Sequence, residues 1–414
     1  MALNAETIDT VIIGGGQSGL AMSYLLKQQD REHVVLEKRN RIGESWRHRW
    51  DSFTLVTPNW QLQLPGYPYQ GENPDGFLSR EEVVTYLEGY AGSFEPPVQF
   101  GTEVTGMEAN GNGRGYLVRT PDTHFEANNV VAATGTFQSP NIPGCSENVP
   151  GIIRQLHSSD YRNPESLPDG NVLVVGSGQS GSQIARELHE DGRDVYLCVG
   201  RAGRLPRRYR GRDGMWWAVQ LGILDETVDD LDSPAERFSA NPVISGTNGG
   251  QDINLHQFAR DGIRLLGHLN DIRDGCAVLA DDLHDNLSAA DQMADQIRQG
   301  VDTFIEKTGM DLPEEIVSEP QDGFDQEMIP ELDLEKAGIN TIIWATGYGW
   351  DYSWIRLPIL DEFGYPVQER GVTDFPGLYL VGLHFLHTRK SGLFLGVGED
   401  AEYIARHMEK RSAE

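Results

Sequence analysis

One segment of this sequence occurs twice, about 160 residues apart. The first copy, TVIIGGGQSGLA, begins at Thr10, and the second copy, NVLVVGSGQSGS, begins at Asn171. Each copy combines a β-branched run, a GxGxxG turn and a stretch compatible with a helix, and a second apolar strand follows at residues 33–36 and 194–199. Two βαβ units are the economical interpretation. The sequence therefore predicts an α/β protein with two Rossmann-like domains.

The glycines of the two turns predict dinucleotide binding. In such a turn the first glycine permits a tight bend, the second lets the backbone approach a pyrophosphate, and the third lets the helix pack closely on the strand. Backbone N–H groups at the start of the helix then face the phosphate charge. A structural turn without a ligand remains the alternative for each copy. The residues predicted to contact the cofactors at these turns are Gly14, Gly16, Gln17, Ser18, Gly19, Gly176, Gly178, Gln179, Ser180 and Gly181.

The two copies differ where their second strands end. The first copy ends at Glu37 and Lys38, about 18 residues after its last glycine, where a carboxylate can accept hydrogen bonds from ribose hydroxyls. The second copy has no carboxylate there. Instead Arg201 opens an arginine-rich run that continues to Arg210, and guanidinium groups suit the 2′-phosphate of NADP. A solvated charged loop is the alternative interpretation of this run.

Two further strands, in residues 129–135 and 341–347, both end in the sequence Ala-Thr-Gly. Small residues at these ends would let the backbone run close to a dinucleotide, so two matched ends predict two cofactor edges. Near the C-terminus another strand ends in glycine and is followed by a helix predicted over residues 396–409. His384 and His387 lie between them and either line the site or pack in the core. The site residues predicted at these strand ends are Thr134, Gly135, Thr346, Gly347 and Gly382.

This pattern predicts that the second domain is inserted into the first. The first domain would comprise residues 1–150 and 336–414, and the second would comprise residues 151–335, including an acidic and partly helical stretch. Residues 212–332 carry no motif that assigns them a role.

Composition excludes several classes of protein. Asp and Glu number 63 against 34 Lys and Arg, which gives a net charge of −29 and argues against a nucleic-acid partner. The three cysteines lie far apart without CxxC or metal-ligand spacing, so we predict a cytoplasmic protein without a metal site or a disulfide scaffold. The apolar runs are too short for a membrane span, and GxSxG and HExxH motifs are absent from the sequence.

These residues together resemble the class B flavin monooxygenases, the two-dinucleotide flavoproteins that include flavin-containing and Baeyer–Villiger monooxygenases. The resemblance covers most of the chain outside residues 212–332 and rests on the two turns, on Glu37 and Arg201, and on the two Ala-Thr-Gly ends. The run IGESWR, which starts at Ile42, is similar to a segment that passes close to the flavin in this family. The resemblance therefore adds to the cofactor residues Gly43, Trp46 and Val104.

The resemblance implies that FAD binds the first domain and NADPH binds the second. A small-molecule substrate and molecular oxygen would be the reactants, and the reduced flavin would form a C4a oxygen adduct that oxygenates the substrate. A flavin-dependent reductase or dehydrogenase with the same fold remains an alternative, as does a flavoprotein sensor. We expect no nucleic-acid partner and no membrane partner. The sequence does not determine the oligomeric state, and a homodimer is one hypothesis.

The resemblance also indicates two candidate catalytic residues. His157 and Tyr161 match the family motif FxGxxxHxxx(Y/W/F), although Gly151 and Ile153 replace its Phe and Gly. The motif implies that His157 lies at the hinge between the domains, and a purely structural histidine is the alternative. Asn59 lies near the position of a family asparagine that hydrogen-bonds the oxygen adduct, and a turn-forming Asn after proline is its alternative.

Overall fold

The computed structural model describes residues 5–111 and 115–413, and within them the chain forms two large sheets. The strands of the first sheet, numbered along the chain, are β1 (Ala5–Ile13), β2 (His33–Glu37), β5 (Val98–Phe100), β6 (Gly106–Ala109), β7 (Tyr116–Arg119), β8 (His124–Ala132) and β21 (Leu378–Leu380). Their order is β5-β2-β1-β8-β7-β6, and β21 pairs in parallel with the C-terminal end of β8. The C-terminal strand therefore returns to the first sheet, as the sequence predicted.

The second sheet is entirely parallel. Its strands are β10 (Arg154–His157), β11 (Asn171–Val175), β12 (Val195–Cys198), β15 (Arg264–Leu266) and β19 (Ile339–Trp344), in the order β10-β19-β11-β12-β15. The sequence placed residues 336–414 in the first domain, whereas β19 lies inside the second sheet, between β10 and β11. The boundary predicted at residue 336 is thus wrong, because an apolar strand has the same pattern in either sheet.

Shorter strands complete the chain. They are β3 (Gln63–Leu64), β4 (Tyr67–Pro68), β9 (Ser139–Pro140), β13 (Arg208–Tyr209), β14 (Arg212–Asp213), β16 (Leu269–Arg273), β17 (Cys276–Leu279), β18 (Glu331–Asp333) and β20 (Tyr348–Gly349). β9 and β20 pair with each other where the chain crosses from one domain to the other, and we call this pair the crossing ribbon. β16, β17 and β18 form an antiparallel sheet within the stretch to which the sequence assigned no role.

Helices cover both sheets. They are α1 (Gln17–Gln28), α2 (Glu44–Arg47), α3 (Arg80–Phe94), α4 (Gln179–Glu190), α5 (Gly214–Gln220), α6 (Thr247–Gly250), α7 (Leu255–Asp261), α8 (Leu283–Thr308) and α9 (Val397–Ala413). α1, α3 and α9 pack on one face of the first sheet, and α4, α7 and the start of α8 pack on one face of the second. The three-stranded sheet covers the other face of the second sheet.

The first strands of both βαβ units are buried on both faces. Val11 and Ile12 in β1, and Val172, Leu173 and Val174 in β11, are fully buried. Parallel strands covered by layers on both sides require such continuous apolar runs. Both predicted βαβ units are therefore confirmed. Among the described residues, no helix combines the length and the apolar character needed to cross a membrane.

Candidate cofactor site

The first glycines of the two GxGxxG turns adopt the same conformation. Gly14 and Gly176 have φ angles of 109° and 105°, in the region that side chains rarely occupy. A Cβ atom at Gly14 would lie 2.5 Å from the carbonyl oxygen of Ala133, and one at Gly176 would lie 2.6 Å from that of Ala345. Each turn thus needs glycine for its backbone angle and for its approach to an Ala-Thr-Gly end.

The third glycines hold the helices against the turns. A Cβ atom at Gly19 would overlap the carbonyl oxygen of Gly14, and one at Gly181 would overlap that of Gly176. Only glycine allows α1 and α4 to begin so close to the preceding strand.

The second glycines face open space. Gly16 and Gly178 are the N-cap residues of α1 and α4, and neither receives a side-chain cap. A Cβ atom added at either glycine would find no atom within 4 Å, and the first turns of both helices lack acidic residues. Uncapped N–H groups beside open space fit a pyrophosphate. Ser180 lies in the first turn of α4 and belongs to the same surface.

Glu37 ends β2 beside the first turn. Its carboxylate accepts hydrogen bonds from the backbone N–H groups of Gly15, at 2.7 Å, and Arg39, at 2.8 Å. An ionised carboxylate has about four acceptor positions, so two remain for ribose hydroxyls. Lys38 is exposed, and Val104 is half-buried in the segment that follows β5. This surrounding fits the ribose of a dinucleotide.

The second turn has no counterpart of Glu37. The N–H of Gly14 donates to the carbonyl of Leu36, and the N–H of Gly176 donates to that of Cys198. The residue equivalent to Glu37 is therefore Val199, which is fully buried.

The structure corrects the prediction that the arginine-rich run after β12 forms a phosphate-binding island. Arg204 pairs with Asp291 and Glu319, Arg207 pairs with Asp213, and Arg210 pairs with Asp302. These three guanidinium groups neutralise carboxylates of the same chain and do not form the predicted island for a phosphate. Arg201 and Arg208 remain exposed.

The two Ala-Thr-Gly ends meet at the crossing ribbon. Gly135 and Gly347 have φ angles of 71° and 80°, and a Cβ atom added at either would find no atom within 4 Å. The hydroxyl of Thr134 accepts a hydrogen bond from Gln138, at 3.0 Å. Thr346 is fixed by hydrogen bonds with Asn141, the residue that follows β9. Both predicted edges thus present open backbone on either side of one junction.

His157 holds this junction. Its Nε2 atom lies 3.0 Å from the carbonyl oxygen of Gly347, and its Nδ1 atom accepts from the backbone N–H of Ser159 at 3.1 Å. The ring also contacts Tyr348 edge to face, with centroids 4.9 Å apart. Burial lowers the pKa of His157, which favours the neutral ring that this pattern requires. The side chain ties the end of β10 to the crossing ribbon.

Asn59 has a structural task. Its amide oxygen accepts from the backbone N–H of Leu78 at 2.8 Å, and its amide nitrogen donates to the carbonyl of Asn73 at 2.9 Å. Asn59 is buried, and both ends of its amide bind loop backbone. These contacts favour the structural alternative for Asn59 over the catalytic one.

The C-terminal segment returns to the start of α1. Gly382 has a φ angle of 78°, and a Cβ atom there would overlap the hydroxyl of Ser18. Gln17 donates from its side chain to the carbonyl of Gly392 at 3.0 Å. Gln179, at the matching position of α4, accepts from the backbone N–H of Ile244 at 3.1 Å. Both helix starts are therefore fixed by distant loops.

Two aromatic residues lie in the core cluster into which α1 packs. Gly43, with a φ angle of 78°, packs against Val84 and starts the short helix α2. Trp46 in this helix stacks on Phe394, with centroids 5.6 Å apart and planes inclined by 22°. Sequence analysis missed Phe394, because nothing local indicates which segment would reach α2.

The two predicted C-terminal histidines, His384 and His387, are both half-buried. Burial, together with the charge of Arg389, lowers the pKa of His384 to about 4. The ring is therefore neutral near pH 7, and His384 lies in the segment that returns to α1 after β21.

Sequence comparison decides the family. Residues 11–210 match the family described as pyridine nucleotide-disulphide oxidoreductase. A CzcO-like oxidoreductase from Geobacillus kaustophilus is 35% identical over 399 residues, which are 96% of this chain and 97% of that relative. This chain belongs to the CzcO-like oxidoreductases. A CzcO oxidoreductase from Bacillus subtilis is 33% identical and covers 97% of this chain and 99% of its own length.

Solved structures share the fold of this CzcO-like oxidoreductase. A flavin-containing monooxygenase from Stenotrophomonas maltophilia superposes with a TM-score of 0.68 at 21% identity, over 98% of this chain and 99% of its own. The structure of OTEMO in complex with FAD and NADP superposes with a TM-score of 0.57 at 15% identity, over 99% of this chain and 86% of its own. The predicted fold class and the predicted resemblance to flavin monooxygenases are confirmed.

Proposed function

We propose that this oxidoreductase is an FAD-dependent monooxygenase that uses NADPH and acts on a small organic substrate. The observation that carries the proposal is the duplicated turn. Two glycine turns with matching angles, each beside an uncapped helix start and an open Ala-Thr-Gly end, meet at one crossing ribbon. One dinucleotide site would suffice for a simple dehydrogenase. Two sites that share a junction suit electron transfer from one cofactor to the other.

The residues of each turn divide the cofactors between the domains. In the first domain Glu37 leaves acceptor positions open, which suits the ribose of FAD. In the second domain a buried valine replaces that carboxylate and Arg201 is exposed, which suits the phosphorylated ribose of NADPH. FAD held at the first turn beside Glu37 would supply the chemistry that takes a hydride from NADPH and passes the electrons to molecular oxygen.

The chain's own residues position the cofactors and shield the reaction. Trp46 and Phe394 stack in the core into which α1 packs, and this apolar pair would help to exclude water from the first domain's cofactor. His157 holds the crossing ribbon, because its two ring nitrogens are already hydrogen-bonded to the backbone of Gly347 and Ser159. The fixed junction would keep the two cofactor edges at a constant separation.

A disulfide reductase is the less favoured alternative. Such an enzyme needs a reactive thiolate, and burial raises the pKa of the Cys198 thiol to about 12. Cys145 is half-buried, and burial raises the pKa of its thiol too. The chemistry of these cysteines therefore does not suit electron transfer to sulfur.

The decisive experiment separates oxygen insertion from oxygen reduction. The purified protein, reconstituted with FAD, is given NADPH, isotopically labelled oxygen and a panel of small organic substrates. A monooxygenase incorporates one labelled oxygen atom into product for each NADPH consumed. If hydrogen peroxide instead accounts for all the NADPH with every substrate, the monooxygenase proposal fails and an oxidase or reductase replaces it.

A further inference from the structure

Arg49 lies where the two domains meet. It follows α2 in the sequence and precedes Trp50, which packs into the core of the second domain. Its guanidinium carbon lies 4.6 Å from the ring centroid of Phe137, which comes two residues after Gly135. Tyr348, directly after Gly347, is also close enough to influence the charge of Arg49. Arg49 therefore reaches both strands beside the two open Ala-Thr-Gly ends.

Arg49 forms no ion pair with any residue of the described ranges 5–111 and 115–413. The carboxylates close to it in sequence have other partners. Glu44 binds Arg41, and Asp51 binds Arg80 and Asn163. In a chain with 63 acidic and 34 basic residues, a half-buried arginine without a carboxylate is unusual. Burial lowers the pKa of Arg49, as expected for a cation that has lost water without gaining an anion.

The surroundings of Arg49 are aromatic. Phe137 is 63% exposed, and its ring contacts that of Tyr348 edge to face at 5.1 Å. Phe53 lies on another side, with its centroid 5.8 Å from the guanidinium carbon. Aromatic faces can hold a guanidinium group in place while its N–H donors remain available. Together they form a surface with one fixed cation and apolar walls.

We propose that Arg49 binds the carboxylate of the substrate, so that the substrate is a small organic acid with an apolar body. Guanidinium pairs bidentately with carboxylate, and this pairing would orient the acid between the two cofactor edges. The inference rests on the proposed function, because it takes the junction for the place where substrate meets reduced flavin. It adds to that function a class of substrate and a binding residue.

The same cation chemistry could serve a phosphate of a cofactor. The structure favours the carboxylate, because the uncapped starts of α1 and α4 would already supply donors to the pyrophosphates of both cofactors. The aromatic rings around Arg49 also suit the apolar body of an organic acid better than they suit a hydrated phosphate.

The test compares acids with their neutral amides. Benzoate, phenylacetate and 3-phenylpropanoate, and the three matching amides, are titrated into the FAD-reconstituted protein, and binding is followed by calorimetry. The variants are Arg49→Gln, which removes the charge, and Arg49→Lys, which keeps the charge but loses the planar fork. Arg212→Gln is the matched control, because Arg212 is exposed and also lies over an aromatic ring, 5.2 Å from that of Trp216. ADP-ribose is titrated in parallel as the phosphate probe.

We expect the unmodified protein to bind at least one acid more tightly than its amide. Arg49→Gln should weaken the binding of that acid by about 10- to 100-fold and leave the binding of the amide unchanged, since a charge-assisted pair is lost. Arg49→Lys should retain part of the preference and Arg212→Gln all of it. If none of the three acids is preferred over its amide, or if Arg49→Gln binds them as before, the inference is wrong. If Arg49→Gln binds ADP-ribose more weakly but binds the acids as before, Arg49 contacts a cofactor phosphate and the substrate role is overturned.

Failure of the proposed function has a separate signature. Reduction of the flavin by NADPH without oxygen should persist in Arg49→Gln, because the inference gives Arg49 no part in holding either dinucleotide. An unmodified protein that NADPH does not reduce contradicts the proposed function, whatever the acid titrations show. Loss of reduction in Arg49→Gln alone, with Arg49→Lys still reduced, contradicts the inference.

Discussion

Gly16 and Gly19 stand three residues apart in one turn and face opposite surroundings. A Cβ atom at Gly19 would overlap a carbonyl oxygen of the turn, whereas one at Gly16 would enter open space. Gly16 has a φ angle of −76°, which any residue can adopt. The fold therefore requires glycine at position 19, whereas the need for glycine at position 16 is explained by the proposed pyrophosphate.

These two glycines give a paired prediction. Gly19→Ala should lower the free energy of unfolding of the FAD-free protein by about 2 kcal/mol or more, because backbone atoms must move. Gly16→Ala should change that free energy by less than about 0.5 kcal/mol but strongly reduce FAD binding. Urea denaturation of the FAD-free variants and the flavin absorbance bound per chain check both parts. If Gly16→Ala keeps full FAD affinity, the first turn is not the pyrophosphate site.

Arg201 gives a prediction for the second site. Arg201→Ala should weaken the binding of NADPH about 10- to 100-fold and the binding of NADH by less than about 3-fold, because only NADPH carries the extra phosphate. Dissociation constants of both nucleotides, measured anaerobically on the FAD-containing protein, test this. Arg208→Ala is the control, since Arg208 is also exposed and donates to the carbonyl of Gly249. Equal losses of NADPH and NADH in Arg201→Ala would refute the phosphate role.

His384 gives a prediction about pH. Burial and Arg389 lower its pKa from the ordinary 6.5 to about 4. Between these values the unfolded chain binds a proton that the folded chain does not. Stability is therefore highest above pH 6.5 and falls as the pH drops toward 4, by about 3 kcal/mol from this group.

Replacing the imidazole ring of His384 should remove this loss of stability at low pH. Between pH 7 and pH 4.5, the free energy of unfolding of His384→Asn should fall by about 2 kcal/mol less than that of the unmodified protein. His268→Asn, at an exposed position, should follow the unmodified protein. Urea denaturation at the two pH values measures the difference. If both variants lose the same stability as the unmodified protein, His384 does not titrate as its burial implies.

At the scale of elements, residues 222–240, which we call the bridging segment, connect the second domain to the first. The backbone N–H of Arg389 donates to the carbonyl of Glu226 at 2.9 Å, and the two side chains also form an ion pair. Further along, Phe238 packs against Trp350 and Tyr365 of the first domain. The segment thus lies across the C-terminal stretch that contains His384.

The bridging segment should depend on this ion pair. Arg389→Ala should raise the hydrogen-exchange rate of the amides at residues 389 and 390 by about two- to fivefold, as expected when a partly exposed ion pair is lost. Arg406→Ala is the control, because Arg406 forms an exposed ion pair with Glu402 within α9. Equal exchange at residues 389 and 390 in both variants would show that the ion pair does not hold the segment.

Elements also show how far the sequence determines this fold. Both βαβ units could be predicted, because the turn glycines obey local constraints of angle and space. The sheet that contains β19 could not, since an apolar strand looks the same in either sheet. The ion pairs of Arg204 and Arg210 depend on Asp291 and Asp302, which lie about 90 residues away on α8. Such partners are set by the packing of α8 and leave no local pattern.

At the scale of the whole molecule, each of the two domains contains a glycine turn beside an open Ala-Thr-Gly end, and the domains join at the crossing ribbon. Each domain ends its central strands at an open glycine edge, and His157 and Arg49 lie beside the ribbon that connects these edges. Because acidic residues outnumber basic ones in this chain, an arginine without a carboxylate partner, such as Arg49 at this junction, is unusual. This arrangement suits the proposed transfer of electrons between two nucleotides within one chain.

The most direct test of this account is an anaerobic titration of the FAD-reconstituted protein with NADPH, followed by admission of oxygen. We predict that NADPH bleaches the visible absorbance of the flavin completely, at one equivalent per chain, and that oxygen restores it. A flavin that stays oxidised in excess NADPH would contradict the account, because the two sites would then not form one path for electrons.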